Sequence, residues 1–167
     1  MAPSTKTAQV QIMSNCDVFH ELWKANPHEV PNLTPTTIQN CQILEGEVGT
    51  EGCIYTSFLP FHINTLEINA FDDIYVIADG KDCVFKSLTQ EINERKKSVT
   101  YKGLEGDLLE LYKTFVVHIH VDTDGSNNLV TWTVEYEKMN PNDPDPDTLM
   151  ELYKKMTKDI ETCHLEN

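Results

Sequence analysis

Residues 114–137 of this chain read TFVVHIHVDTDGSNNLVTWTVEYE and contain two alternating segments joined by Asp124-Gly125. In each segment, large apolar side chains occupy every second position and polar or smaller residues stand between them; the apolar positions are Phe115, Val117, Ile119, Val121, Val130, Trp132, Val134 and Tyr136. A period of two is typical of an antiparallel strand that covers a core with one face and meets water with the other. The stretch therefore predicts a long β-hairpin with an aromatic inner face.

The C-terminal segment predicts a long helix with one apolar face. It follows the proline-rich connection NPNDPDP at 140–146, and its apolar residues are spaced as on one side of a helix: Leu149, Leu152, Tyr153, Met156 and Ile160. Lysines at 154, 155 and 158 occupy the other side. This helix can bury its apolar face only against the predicted sheet.

The remaining elements predict an α+β domain. Strands are expected at 6–13, 38–44, 53–59, 82–92 and 98–105. A helix with Phe19, Leu22 and Trp23 on one face follows Asn15, and Pro27 suits the start of a second short helix. An antiparallel sheet that packs on a helix must curl around it. If the curl is deep, the two surfaces leave a cavity between them.

The net charge indicates which binding partners to expect, and the N-terminus and the cysteines indicate the cellular compartment. Asp and Glu total 27 against 13 Lys and Arg, a formal net charge of -14. Such a field repels phosphate, so neither nucleic acid nor an anionic membrane is an expected partner. The N-terminus carries no apolar run of signal-peptide length, which favours a cytoplasmic protein. Five cysteines without CxxC spacing are expected to be buried free thiols.

Two motifs suggest chemistry that their surroundings oppose. The glycine-rich tract at 46–52 is similar to a phosphate-binding loop, but glutamates surround its glycines and the required lysine is absent. His118 and His120 share one face of a strand, as a pair of metal ligands would. Their apolar neighbours claim the inner face, so the pair is expected on the outer surface. We therefore expect no metal and no cofactor.

Four tracts resemble the plant major latex protein family, a branch of the Bet v 1-like, pathogenesis-related class 10 superfamily. They are HELWKANPHEVPNLTP at 20–35, LEGEVGTEG at 44–52, YKGLEGDLLELYKTF at 101–115 and NNLVTWTVEYEKMN at 127–140. The resemblance implies a single domain over residues 1–167. Its seven-stranded curved antiparallel sheet would wrap around the long C-terminal helix, with two short helices after the first strand.

One segment departs from the family pattern. At about 60–76, between the third and fourth strands, the chain carries an insertion with several aromatic residues where the family has a short hairpin. Long apolar loops in compact domains are usually functional. We expect this segment to act as a lid at the mouth of the cavity.

The resemblance also implies a function. Members bind small hydrophobic plant metabolites in an internal cavity, so we expect a ligand of the terpenoid, alkaloid or phenolic class and a monomer or weak dimer. The alternative is a cofactor-free cyclase or isomerase that acts on a reactive terpenoid or alkaloid intermediate, with a defence-related role. A third possibility is a hormone sensor that recruits a protein partner.

Candidate site residues come from the predicted inner faces and from the mouth. Ligand-binding residues are expected to be apolar or aromatic: Tyr55, Phe61, Leu88, Tyr101, Phe115, Val117, Ile119, Trp132, Val134, Tyr136, Leu149, Tyr153 and Met156. The acid–base candidates are His62, Lys86, Tyr101 and Lys113, with Glu105 and Asp107 nearby in the sequence. Such catalysis needs a proton donor and acceptor within hydrogen-bond reach of the substrate. No spacing signature singles out one of them.

Overall fold

The computed structural model describes residues 3–13, 15–34, 38, 40–59, 66–68, 74–76, 83–124, 127–143 and 145–166. The strands are β1 Ser4–Ile12, β2 Asn40–Glu45, β3 Ile54–Leu59, β4 Leu66–Ile68, β5 Ile74–Val76, β6 Cys83–Asn93, β7 Ser98–Gly106, β8 Tyr112–Asp124 and β9 Asn127–Lys138. The helices are α1 Cys16–Ala25, α2 Val30–Leu33, α3 Leu108–Leu111 and α4 Asp147–Glu166, with a 3₁₀ turn at Pro27–Glu29.

Seven strands form one curved antiparallel sheet in the order β1-β9-β8-β7-β6-β3-β2. The longest pairing joins β8 and β9, with Phe115 opposite Tyr136 and Ile119 opposite Trp132. The predicted hairpin is therefore confirmed. Its inward residues are buried and its outward residues are partly or fully exposed, because successive side chains of a strand point to opposite faces.

Helix α4 lies against the inner face of the sheet and packs on β1 and β9. All five residues of its predicted apolar face are buried. One hydrogen bond sets the helix on the sheet, since Trp132 Nε1 donates to Thr157 Oγ1 at 2.8 Å. The predicted α+β architecture is confirmed.

Helix α1 closes one side of the sheet. Asn15 caps its N-terminus by accepting a hydrogen bond from Asp17 N at 2.7 Å, and Phe19, Leu22 and Trp23 face the core. Ion pairs attach its outer side to the turn between β6 and β7. Asp17 pairs with Lys97, and Lys24 Nζ lies 2.5 Å from Glu94 Oε1. The helix is thus held by an apolar face on one side and by charges on the other.

Most of the predicted insertion lies outside the described residues. The expectation that it acts as a lid therefore concerns residues that the structure does not describe. Within it, β4 and β5 pair as a separate two-stranded sheet, with Glu67 opposite Tyr75. Strand β4 lies next to α4. A further element was not predicted. The short helix α3 separates β7 from β8, where the sequence predicted no helix.

Candidate ligand cavity

An apolar cavity of about 70 Å³ lies between the sheet, α1 and α4. The sheet contributes inward-facing residues of β2, β3, β6, β7, β8 and β9, among them Tyr55, Tyr101 and Trp132. Helix α1 contributes Trp23, and α4 contributes Tyr153 and Met156. The prediction that the sheet and the last helix do not fill the space between them agrees with this geometry.

Aromatic contacts narrow the cavity. Tyr153 stacks on Trp132 with ring centroids 4.4 Å apart and planes 8° from parallel. Trp23 meets Trp132 edge-on at 5.2 Å, and Tyr55 meets Tyr101 edge-on at 6.4 Å. Pockets for drug-sized ligands usually measure roughly 300–1,000 Å³. A ligand of that size therefore needs these rings to move apart.

The walls are uncharged in the part of the chain that the structure describes. Ser57, Ser87 and Cys41 are the small polar residues of the lining, and no Asp, Glu, Lys, Arg or His is among the described lining residues. Burial raises the pKa of the Cys41 thiol to about 11, so it stays protonated near neutral pH. A charged guest would meet no counter-charge from these walls, and an unpaired buried charge is strongly disfavoured.

The Tyr101 hydroxyl already has a hydrogen-bond partner within the protein. It donates a hydrogen bond to the Trp23 carbonyl oxygen and thereby connects β7 to α1. Burial raises the pKa of Tyr101 well above its ordinary value. The residue is therefore neutral and is unsuited to act as a general base.

Seven of the predicted ligand-binding residues line this cavity: Tyr55, Tyr101, Val117, Ile119, Trp132, Tyr153 and Met156. Four others, Phe115, Val134, Tyr136 and Leu149, are buried but are not part of the lining. An aromatic cluster explains the position of two of them. Tyr112 lies 5.5 Å from Phe115 and 5.4 Å from Tyr136, ring centroid to centroid, and together these rings fill their end of the core.

Leu88 does not face the cavity as the sequence predicted, and Phe61 lies outside the described residues. In β6 the buried positions are Phe85, Ser87 and Thr89, so Leu88 is half-buried and points to the opposite face. It does not line the cavity. Two register shifts in the β6–β7 pairing, next to Ser87 and at Thr89/Glu91, make the inward positions hard to recognise from the alternation alone.

The acid–base candidates do not come together. Lys86 alternates with cavity residues on β6, and its Nζ lies 3.9 Å from Glu105 Oε2 on the outer face. Lys113 is exposed, and its Nζ lies 3.9 Å from Glu137 Oε1. Asp107 accepts a hydrogen bond from Val84 N at 2.7 Å. His62 lies outside the described residues, which leaves Tyr101 as the only candidate seen at the cavity.

Sequence reasoning missed part of the wall. Trp23, Pro27, Ile38, Cys41, Ser57, Phe85 and Ser87 also line the cavity. A signal existed for Trp23, because Phe19, Leu22 and Trp23 share one apolar helical face that must pack against the sheet. For the two serines no signal existed, since a polar residue between apolar neighbours ordinarily indicates the outer face of a strand.

The histidine pair and the glycine tract lie away from the cavity lining. His118 Nδ1 lies 2.9 Å from Thr100 Oγ1, and its Nε2 lies 3.4 Å from Glu135 Oε2, on the face of the sheet opposite Val117. In the glycine tract, residues 46, 49 and 52 adopt positive φ in the turn between β2 and β3. Among the described residues, no helix is both long and apolar enough to cross a bilayer.

Comparisons with known proteins agree with this architecture. The sequence model of the Pathogenesis-related protein Bet v 1 family matches residues 1–60 and 69–167. MLP-like protein 31 of Arabidopsis thaliana is 31% identical over 95% of this chain and 83% of its own length. MLP-like protein 34 of the same plant is also 31% identical, but this chain spans only 45% of its length.

Solved structures show the same fold. Ginseng major latex-like protein 151 from Panax ginseng is 38% identical, with a TM-score of 0.85 and 98% of both chains covered. Norcoclaurine synthase from Thalictrum flavum superimposes with a TM-score of 0.70 over 99% of this chain and 88% of its own. Its identity is only 14%, which is evidence for the fold alone. The agreement of fold, family model and relatives shows that this chain belongs to the Bet v 1 family of pathogenesis-related proteins, with major latex-like proteins among its relatives.

Proposed function

We propose that this protein binds a small, uncharged, apolar molecule between its sheet and helix α4. The observation that carries the proposal is the apolar cavity, whose described walls are mostly aromatic and aliphatic and hold no charged side chain. Buried apolar area supplies the affinity of such a site, and a few polar groups orient the guest. A plant terpenoid, phenolic or neutral alkaloid fits this chemistry.

The size of the cavity determines how binding proceeds. About 70 Å³ accommodates a small guest, whereas a larger metabolite must displace aromatic rings of the wall. We expect the rings that the helices contribute, Trp23 and Tyr153, to be the ones that move, because only ring contacts hold them against Trp132. We therefore expect affinity to fall with ligand size unless the ligand replaces the ring contacts that it breaks.

Binding without turnover is favoured over catalysis. A cofactor-free cyclase or isomerase needs an acid and a base near the reacting atoms. Of the acid–base candidates in the described residues, only Tyr101 lines the cavity. Its hydroxyl already donates a hydrogen bond to the Trp23 carbonyl oxygen. Lys86 and Lys113 lie outside the cavity lining, paired with carboxylates.

A pair of variants at adjacent positions of β6 tests the proposal. Ser87 faces the cavity and Lys86 faces away from it. Ser87→Leu fills the cavity and should weaken binding of indane, a small neutral hydrocarbon, at least tenfold. Lys86→Leu adds the same side chain on the opposite face and should leave the affinity unchanged. Indole fluorescence reports binding, since Trp23 and Trp132 both line the cavity.

The outcomes separate cleanly. Equal indane affinity in Ser87→Leu and the wild type would show that the guest binds elsewhere, and the proposal would fail. Native mass spectrometry of the protein purified from its own tissue would then identify the class of the bound molecule. Incubating that molecule with the protein distinguishes a carrier, which returns it unchanged, from an enzyme, which converts it in more than stoichiometric amounts.

A further inference from the structure

Two polar atoms in the residues that line the cavity are buried without a hydrogen bond. They are Nε1 of Trp23, a residue 6% exposed, and the hydroxyl of Tyr55, a residue 2% exposed. Buried polar groups are almost always paired in folded proteins. An unpaired pair of donors at one cavity therefore calls for an explanation.

Residues of the same types show what pairing looks like here. Trp132 Nε1 donates to Thr157 Oγ1 at 2.8 Å, and the Tyr101 hydroxyl donates to the Trp23 carbonyl oxygen. The fold thus provides hydrogen-bond partners for Trp132 and Tyr101, whereas the polar side-chain atoms of Trp23 and Tyr55 have none. Burial raises the pKa of Tyr55; Cys53 beside its hydroxyl raises this pKa further and the Thr89 hydroxyl lowers it, yet neither the Tyr55 nor the Thr89 hydroxyl has a hydrogen-bond partner of good geometry.

The chemistry of the two atoms defines the missing partner. An indole N–H only donates, and a protonated phenol also donates readily. Both atoms therefore complement an oxygen acceptor. The described lining holds no cation to balance a carboxylate and no anion to balance an ammonium group, and an uncompensated buried charge is strongly disfavoured.

We propose that Trp23 and Tyr55 form a polar anchor for an uncharged ligand that carries a carbonyl or ether oxygen on an apolar skeleton. This inference rests on the proposed function and adds to it the polar group that the ligand presents. The cavity then selects ketones, lactones and ethers over the corresponding hydrocarbons, acids and amines.

The wild-type protein itself provides the first test. The chain has two tryptophans, so its ¹H–¹⁵N spectrum contains two indole signals. The probes are 1-indanone and indane, which share a skeleton and differ by one carbonyl. With 1-indanone, the Trp23 indole proton should move downfield, whereas with indane it should not. The Trp132 indole proton, already bound to Thr157, should show no such difference. An equal response of Trp23 to both probes would overturn its role in the anchor.

Affinities provide the second test. The readout is the ratio of the indane Kd to the 1-indanone Kd, measured by calorimetry. Trp23→Phe and Tyr55→Phe each remove one donor and keep an aromatic ring, so each should lower this ratio about fivefold, the value of one net hydrogen bond. Tyr136→Phe is the control, because its hydroxyl donates to Asp145 at 2.9 Å and it is not part of the lining. Unchanged ratios in both variants would overturn the anchor.

The two hypotheses fail in different ways. If neither indane nor 1-indanone binds the wild type, the proposed function fails and the anchor fails with it. If both bind and the ratio does not depend on Trp23 or Tyr55, only the anchor fails. Indane-1-carboxylate and 1-aminoindane complete the design, since each should bind at least tenfold more weakly than 1-indanone. Comparable binding of either ion would overturn the selection for uncharged ligands.

Discussion

At Gly106, the backbones of β6 and β7 approach too closely for a side chain. Its φ is +123°, and a Cβ atom there would lie 2.1 Å from the Val84 carbonyl oxygen. Both the conformation and the space exclude other residues. Gly106→Ala should therefore lower the free energy of unfolding by about 3 kcal/mol or more, from backbone strain and steric overlap together. Urea denaturation at neutral pH measures this change.

Gly52 is the matched control. It also has a positive φ, +95°, but a Cβ there meets nothing within 4 Å. Gly52→Ala should cost only about 1–2 kcal/mol, from the conformation alone. If the two variants lose equal stability, the close approach at Gly106 is not what requires glycine there.

His20 makes stability depend on pH. Its imidazole is buried, and burial lowers its pKa, although Glu94, with Oε2 3.4 Å from Nε2, opposes this effect. The pKa of histidine in an unfolded chain is about 6.5. Below that pH the unfolded chain binds a proton that the folded chain does not, so the free energy of unfolding falls as the solution is acidified toward the folded pKa. His20→Gln should flatten this part of the pH profile in urea titrations.

The groups around His20 set the direction of a second effect. Glu94 raises the pKa of His20, whereas Lys97 and Lys24 lower it. Glu94→Gln should therefore lower the pKa of His20 further, which NMR titration of the ring protons would detect. A higher pKa in that variant would contradict this electrostatic account.

At the scale of elements, Thr157 connects α4 to the sheet. It accepts a hydrogen bond from Trp132 Nε1 at 2.8 Å and donates one to the Tyr153 carbonyl oxygen at 2.9 Å, and its side chain is fully buried. Thr157→Val keeps the shape but leaves the indole N–H unpaired, at a cost of about 1–3 kcal/mol. Thr157→Ser keeps the hydroxyl and should cost less. Thermal unfolding ranks the two, and a more stable valine variant would refute the role of the hydrogen bond.

Elements with a regular period could be predicted from the sequence. The face of α4 from Leu149 to Ile160 and the alternation of β8 and β9 are as expected. Strand β6 could not be assigned a face as safely, because shifts in its pairing and its buried Ser87 and Thr89 mislead a count of apolar residues, as Leu88 shows. Periodicity identifies which face is buried only where polar residues stay outside.

For the whole molecule, the cavity is a property that no single element carries. Its walls come from two α-helices, the 3₁₀ turn, six strands and Ile38, and its volume is the small space left after all these side chains have packed. Phe115 and Met156 are both apolar and are equally buried, yet of the two only Met156 borders the empty space. The sequence predicts that both are inside, but the distinction depends on contacts between distant segments.

Enlarging the cavity should lower the free energy of unfolding and raise the affinity for a ligand. Met156 borders the cavity, whereas Ile160, one turn further along α4, is buried in packed core. Met156→Ala and Ile160→Ala should each lower the free energy of unfolding by about 2–5 kcal/mol. Only Met156→Ala adds room for a guest, so it should bind indane about tenfold more tightly than the wild type, since a gain of roughly 1.4 kcal/mol corresponds to a factor of ten.

Bound indane should also stabilise the Met156→Ala variant. At 100 times its Kd, indane should raise the free energy of unfolding of this variant by about 2.7 kcal/mol. Urea titrations with and without indane measure both effects, and equal rescue of the two variants by the same indane concentration would show that the cavity beside α4 does not receive the ligand.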